Sequence, residues 1–246
     1  MAIVWQHQSA GKKYRVTQAG RTVRLYRDDV CHSQWNSRNP FSGHLWDLFC
    51  LSLFQHNVKN VCVLGVGGGT VINALTTLFP GVNIVGVDVD KVHLHIAREF
   101  FSVSERCCLV HADVNNWLKK QKPQTYDVII DDVFSEVTKM PVRAVESSVS
   151  WFEKLLSMLK ENGTLVTNFA DKDEWRHARE KLTQVADIDT YQCGIAQHVH
   201  CENQIVHISQ RDLSIKQVRH ELQASQHKPL ARLLDSGVLQ YRKVRI

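Results

Sequence analysis

The run Gly65-Val66-Gly67-Gly68-Gly69 follows the apolar stretch Val61-Cys62-Val63-Leu64 and precedes residues of helical period. Glycines in that position let the backbone turn tightly and approach a ligand closely. At a helix N-terminus such a loop is also expected to offer free N–H groups to an anion. Asp88 stands 23 residues beyond Gly65, at the end of the next apolar stretch. A carboxylate so placed accepts from both hydroxyls of a ribose and repels a 2′-phosphate. Asp113 ends a third stretch, where it suits an adenine amino group or caps the following helix. Asp131-Asp132 ends a fourth, and because adjacent residues there diverge, one acid is expected to face the ligand and the other to be structural. The chemistry indicated is the binding of a nucleoside.

Other constellations are weaker. His198-x-His200-Cys201 has no third ligand partner in sequence, and His93-x-His95 lies on a helical stretch where the two side chains diverge. No metal site is expected. Neither a Gly-x-Ser-x-Gly elbow nor a Gly-Lys-Ser/Thr loop occurs, which argues against a serine hydrolase and a P-loop NTPase.

The elements that must carry these residues alternate. Strands are expected at 61–64, 83–87, 108–110, 126–130 and 164–168, with helical spacing between them. Strands apolar throughout, separated by helices, indicate a parallel sheet covered on both faces. Segments near 190–199 and 203–209 are expected to pair as an antiparallel edge. Short extended pieces at 3–6, 14–17 and 22–26 precede a helix expected over 41–56. The expected fold is α/β: a doubly wound, mostly parallel Rossmann-like sheet. A small β region (1–40) precedes it, the nucleoside-binding domain spans 41–210, and a polar helical tail (211–246) closes the chain.

Charge is unevenly spread. Residues 1–60 carry a net +5, residues 61–210 a net −5 and residues 211–246 a net +5. The basic ends are diluted by acids and show no nucleic-acid motif, so nucleic acid is not an expected partner. No apolar run is long enough for a membrane helix. Seven scattered cysteines without a Cys-x-x-Cys pair fit a reducing compartment, so the cytoplasm is the expected location.

The motifs Val63-Leu64-Gly65-Val66-Gly67-Gly68-Gly69, Val87-Asp88-Val89-Asp90, His111-Ala112-Asp113 and Tyr126-Asp127-Val128-Ile129-Ile130-Asp131-Asp132 resemble the class I S-adenosylmethionine-dependent methyltransferase superfamily. More narrowly, they resemble its spermidine-synthase-like branch. The resemblance spans roughly residues 20–210. It implies a seven-stranded sheet with the last strand antiparallel, and S-adenosylmethionine, its decarboxylated form or methylthioadenosine as the ligand. It places Gly65, Gly67, Gly68, Gly69, Asp88, Val89, Asp113, Val114 and Asp132 at the cofactor, with Asp132 also the candidate catalytic residue.

Two departures bear on the reaction. The branch's aminopropyltransferases read Gly-Gly-Gly-Asp-Gly, that Asp holding the amino end of the decarboxylated donor; here Thr70 occupies its place. They also read Asp-Ser-Ser-Asp-Pro after the fourth strand, the second Asp acting on the attacking amine. Here Asp132 matches the first acid, Ser135 stands at the second, and Glu136 follows. On these grounds methyl transfer to a small-molecule acceptor is the first expectation. Aminopropyl transfer to a diamine is the second, and a non-catalytic nucleoside-binding interaction protein the third. A second copy of the chain is a candidate partner.

Overall fold

The structure is a computed structural model and describes residues 1–55, 57–137, 140–225 and 228–246; the side chains of 55, 136, 137, 140 and 141 are likewise outside the description. The chain opens with an antiparallel meander, β1 (Ala2–Ser9), β2 (Lys12–Ala19), β3 (Thr22–Arg27) and β4 (Val30–Asn36). The extended pieces expected from sequence belong to β1–β3; β4 is an addition. Buried Tyr14, Val16 and Leu25 from this sheet pack on Val92, Ile96 and Phe101 of the main domain, so the small sheet is anchored by its own apolar layer.

The helix expected over 41–56 is instead two 3₁₀ segments, Leu45–Cys50 and Leu53–Gln55. The Leu48 carbonyl, which an α-helix would give to the amide four residues on, accepts from Leu51 N at 3.4 Å and from His207 Nε2 at 3.0 Å. Ser52 Oγ pairs with His207 Nδ1 at 2.7 Å, and burial drives that imidazole's pKa down to about 3, so it stays neutral. His207 thereby ties the 3₁₀ segment to the main sheet.

The main domain then alternates: β5 (Asn60–Leu64), α1 (Thr70–Leu78), β6 (Asn83–Asp88), α2 (Lys91–Glu99), β7 (Cys108–His111), α3 (Val114–Leu118) and β8 (Tyr126–Asp131). A hairpin follows that the sequence reading does not anticipate, β9 (Phe134–Val137) with β10 (Met140–Arg143). Next come α4 (Val149–Met158), β11 (Leu159–Phe169), α5 (Lys172–Leu182), β12 (Gln192–His198) and β13 (Gln204–Ser209). The tail adds α6 (Ile215–Ala224), α7 (Lys228–Asp235) and β14 (Leu239–Val244).

Eight strands share one sheet in the order β14-β12-β13-β11-β8-β5-β6-β7. Strands β7, β6, β5, β8 and β11 run parallel; β13, β12 and β14 complete the sheet antiparallel. The expected pairing of β12 with β13 is present, but the edge belongs to β14. Leu239 and Tyr241 alternate inward along β14 while their neighbours face water, which is the period of a strand and not of the expected helix. Strand order reverses at β5, whose neighbours are β6 and β8. That switch point is where an open α/β sheet leaves a crevice at its carboxyl ends. Among the described residues, no helix is long and apolar enough to cross a membrane.

Candidate active site

A cavity of about 370 Å³ lies over the switch point, in the size range of small-molecule sites. Gly65, Val66 and Gly67 of the glycine loop line it. A side chain on Gly65 (φ 87°) would collide with the carbonyl oxygen of Asp132, and one on Gly69 (φ 85°) with the Val103 side chain. The glycines therefore allow β5 and β8 to end in contact and α1 to seat against the loop after α2. Gly65 and Gly67 line the cavity; Gly68 and Gly69 are buried behind it and shape the turn.

The loop's amides are not free, which corrects the expectation of an anion cradle. Gly65 N donates to Val87 O at 2.9 Å, and Gly69 N to Val66 O at 2.8 Å. Val66 N and Gly67 N both donate to Asp88 Oδ2 at 3.0 Å. Gly68 N donates to Ser33 Oγ at 2.7 Å, a side chain that β4 inserts into the loop. With these donors engaged inside the protein, a pyrophosphate would find none of them. The loop suits a nucleoside ligand without phosphate.

Asp88 is buried and holds this arrangement together. Beyond the two loop amides, its Oδ1 accepts from Asp90 N at 2.8 Å, and His93 Nδ1 lies 3.5 Å from Oδ2. Burial pushes the carboxyl's pKa up, but His93 and the amides outweigh it and hold it below the ordinary value. Oδ2 thus accepts two amides and Oδ1 one, and the residue also lines the cavity. Asp113 Oδ1 caps α3 by accepting from Asn116 N at 3.0 Å, and the residue also lines the cavity. Val66, Val89, Ala112 and Val114 form the apolar wall beside it.

The two adjacent acids have separate surroundings. Asp131 is fully buried, and its Oδ2 accepts from Arg143 Nη2 at 2.8 Å and from Trp151 Nε1 at 3.0 Å. Asp132 lines the cavity and accepts from Asn168 Nδ2 at 2.8 Å; Asn203 in turn donates to Asn168 Oδ1 at 3.0 Å. Burial pushes the Asp132 carboxyl up to about 6, against the Asn168 hydrogen bond and with the help of neighbouring Asp131. A carboxylate with that affinity can exchange a proton near neutral pH.

Thr70, at the first turn of α1, is spent on structure. Its Oγ1 donates to Gln34 O at 3.0 Å and accepts from Gln34 N at 3.1 Å, fastening β4 to the loop. Ser135 lines the cavity, as do Phe134, Asn168 and Asn203. Sequence reasoning gave Ser33, Asn168 and Asn203 no role in the site and weighed His93 only as a metal ligand. Of these, only Asn168 carried a signal, as a polar residue at the end of an apolar strand. Among the described residues, no three His, Cys, Asp or Glu side chains gather into a metal site.

A family model described as "Methyltransferase domain" matches residues 55–227. The chain is 30% identical over 112 residues to a "Probable polyamine aminopropyl transferase" of Bifidobacterium longum, covering 46% of this chain and 24% of that one. It is 23% identical over 192 residues to a "Polyamine aminopropyltransferase" of Clostridioides difficile, covering 72% and 62%. The chain thus spans less than two thirds of these relatives. Among solved structures, a probable spermidine synthase from Corynebacterium glutamicum superposes with a TM-score of 0.76 at 15% identity, over 99% of this chain and 91% of that one. Human Methyltransferase-like protein 13, in complex with SAH, superposes with a TM-score of 0.60 at 22% identity, over 76% and 90%. With a domain model matched over most of its length and a sheet of this order, the chain belongs to the methyltransferase-domain family of the class I S-adenosylmethionine-dependent superfamily and has its spermidine-synthase-like fold.

Proposed function

We propose that this protein transfers an alkyl group from an S-adenosyl donor to the nitrogen of an amine, with aminopropyl transfer from the decarboxylated donor as the first reading. The observation that carries it is Asp132: one carboxylate with a pKa near 6 in the cavity at the switch point, held by a neutral amide. The curated relatives, named for aminopropyl transfer, support the choice of group and reverse the order expected from the sequence.

The residues present fit an S-adenosyl group. The engaged loop amides favour a nucleoside over a ligand whose phosphate would sit on this loop, and Asp88 would take a ribose hydroxyl. Asp113 would take the adenine amino group between Val89 and Val114. When bound, the donor's sulfonium supplies an electrophilic carbon whose bond to sulfur breaks, with its electron pair, as the amine nitrogen attaches. The chain's own task is to seat the amine and remove its proton. Asp132, ionised above about pH 6, attracts the ammonium form and accepts that proton, leaving the nitrogen lone pair free. Asn168 fixes the carboxylate's orientation without neutralising it, so charge is conserved for the acceptor.

Methyl transfer is the second reading, and Thr70 is the observation that favours it. A neutral hydroxyl already committed to Gln34 gives no carboxylate to select the donor that lacks a carboxyl group. The products separate the readings: incubation with each donor and a panel of amines releases methylthioadenosine on aminopropyl transfer and S-adenosylhomocysteine on methyl transfer. Amine-dependent methylthioadenosine is the expected product; S-adenosylhomocysteine alone would replace the first reading with the second.

A further inference from the structure

Arg143, on β10, stands outside the cavity lining, yet its contacts converge on Asp132 from two directions. Its side chain is 4% exposed. Nη2 donates at 2.8 Å to Oδ2 of Asp131, the residue before Asp132, and Nη1 donates at 2.8 Å to the Asn168 carbonyl oxygen. Asn168 itself donates through its side-chain amide to Asp132 Oδ1 at 2.8 Å. The guanidinium carbon lies 5.4 Å from the Phe169 ring centroid and 6.0 Å from that of Phe134, so aromatic side chains of β11 and β9 both hold the group. Strands β8 and β11 are neighbours in the sheet. A planar guanidinium fork can bridge a carboxylate on one to a carbonyl on the other, which a single ammonium cannot do in the same geometry.

The charges act in the same sense as the contacts. Burial pushes the Asp132 carboxyl's pKa up and Asp131 and Asp88 add to the rise, while the Asn168 hydrogen bond and Arg143 oppose it. Glu174 of α5 faces Arg143 and Asp131. With Asp131 unopposed, Asp132 would shift toward its protonated form, which neither attracts an ammonium nor takes up its proton. Resting on the reading of Asp132 given above, we infer that Arg143 is a positioning residue for that carboxylate. It pins the end of β11 so that the Asn168 amide meets Asp132, and it opposes the charge of Asp131. The hairpin therefore serves the site twice: β9 lines the cavity through Phe134 and Ser135, and β10 supplies the cation behind it.

The test reads Asp132 directly, as the pH midpoint of its carboxyl carbon in NMR spectra of the full-length protein labelled at the aspartate carboxyls, with Asp132→Asn assigning the signal. Asp131→Asn is the background, because removing Arg143 there strands no buried carboxylate and leaves no adjacent acid to take the proton. Glu136, whose side chain lies outside the described residues, is common to every protein compared. In that background Arg143→Met is expected to raise the midpoint by about one pH unit, and Arg143→Lys, which keeps the charge, by less than half as much. Asp131→Asn alone is expected to titrate below the unsubstituted protein, since Arg143 then acts unopposed. In the otherwise unsubstituted protein Arg143→Lys, lacking the two-pronged bridge, is expected to lose at least tenfold in amine-dependent kcat/KM. A midpoint that does not rise in Asp131→Asn/Arg143→Met, or should that protein not fold, a midpoint in Asp131→Asn at or above the unsubstituted value, overturns the inference; so does full kcat/KM in Arg143→Lys. The functional reading fails separately: midpoints that move as expected, in a protein without amine-dependent transfer from either donor, support the role of Arg143 and overturn the reaction assignment.

Discussion

At Asp131 and Asp132, two identical side chains joined by one peptide bond have opposite fates. Asp131 meets Arg143 and Trp151, while Asp132 meets Asn168 and the cavity. The strand-end position of both acids was legible in sequence, because an apolar run that stops at an acid marks the carboxyl end of a buried strand. Which of the two faces the site was not, since the deciding partners lie 12, 20 and 36 residues away. Asp88 was legible in position, whereas its links to Val66 and Gly67 were not, because they depend on how the loop folds back. Asp88→Ala is expected to weaken methylthioadenosine binding at least tenfold, about 1.4 kcal/mol. Calorimetric titration checks this, and unchanged affinity would remove the ribose assignment.

The glycine loop is the element that most changes meaning between sequence and structure. Its glycines predict a tight turn between β5 and α1, and the turn is there. Its amides predict an anion site, and Asp88 and Ser33 fill them instead. The β4 strand that delivers Ser33 carries no local signal for that contact, which arises from tertiary packing of the small sheet. The 3₁₀ segment after β4 makes a second element-scale prediction. Asp47 is buried and accepts from Gly43 N at 2.8 Å and His44 N at 3.3 Å. Burial pushes its carboxyl up to about 7, against those hydrogen bonds. A folded-state pKa above the unfolded value means that the protonated acid favours folding. Its contribution is complete below about pH 4 and is lost as pH rises through 7. Neutral His207, with its lowered pKa, has the opposite dependence over this range, so the prediction is comparative: between pH 5 and pH 8, Asp47→Asn is expected to lose less stability toward urea, or gain more, than the unsubstituted protein. An unaltered difference in the variant would assign the dependence to other groups, among them Asp132, whose shift has the same sign.

Across the whole molecule, the acidic centre and basic ends acquire a partial explanation. Asp88, Asp90, Asp113 and Asp132 gather along one cavity, and the basic N-terminal sheet reaches that cluster through Arg27 and Tyr14 at Asp90. The small sheet is therefore a wall of the site as well as an appendage. Tyr14→Phe removes a hydrogen bond to a carboxylate and is expected to cost about 1.5–3 kcal/mol in denaturant unfolding. Weaker methylthioadenosine binding should accompany it, because Asp90 and His93 brace Asp88. Full retention of both properties would detach the sheet from the site. The alternation that builds the parallel core was legible from period alone. The β14 edge and the β9–β10 hairpin were not: each is short, and each takes its conformation from a partner strand distant or newly formed.

The central claim is that Asp132 accepts the proton of an amine during transfer from an S-adenosyl donor. It is tested most directly by the pH dependence of amine-dependent methylthioadenosine release from the decarboxylated donor, measured for the unsubstituted protein and for Asp132→Asn. The account predicts a kcat/KM that rises through an apparent pKa near 6 and a loss of roughly 100-fold or more in the variant, with that limb abolished. A variant that keeps its activity and the same limb would contradict it.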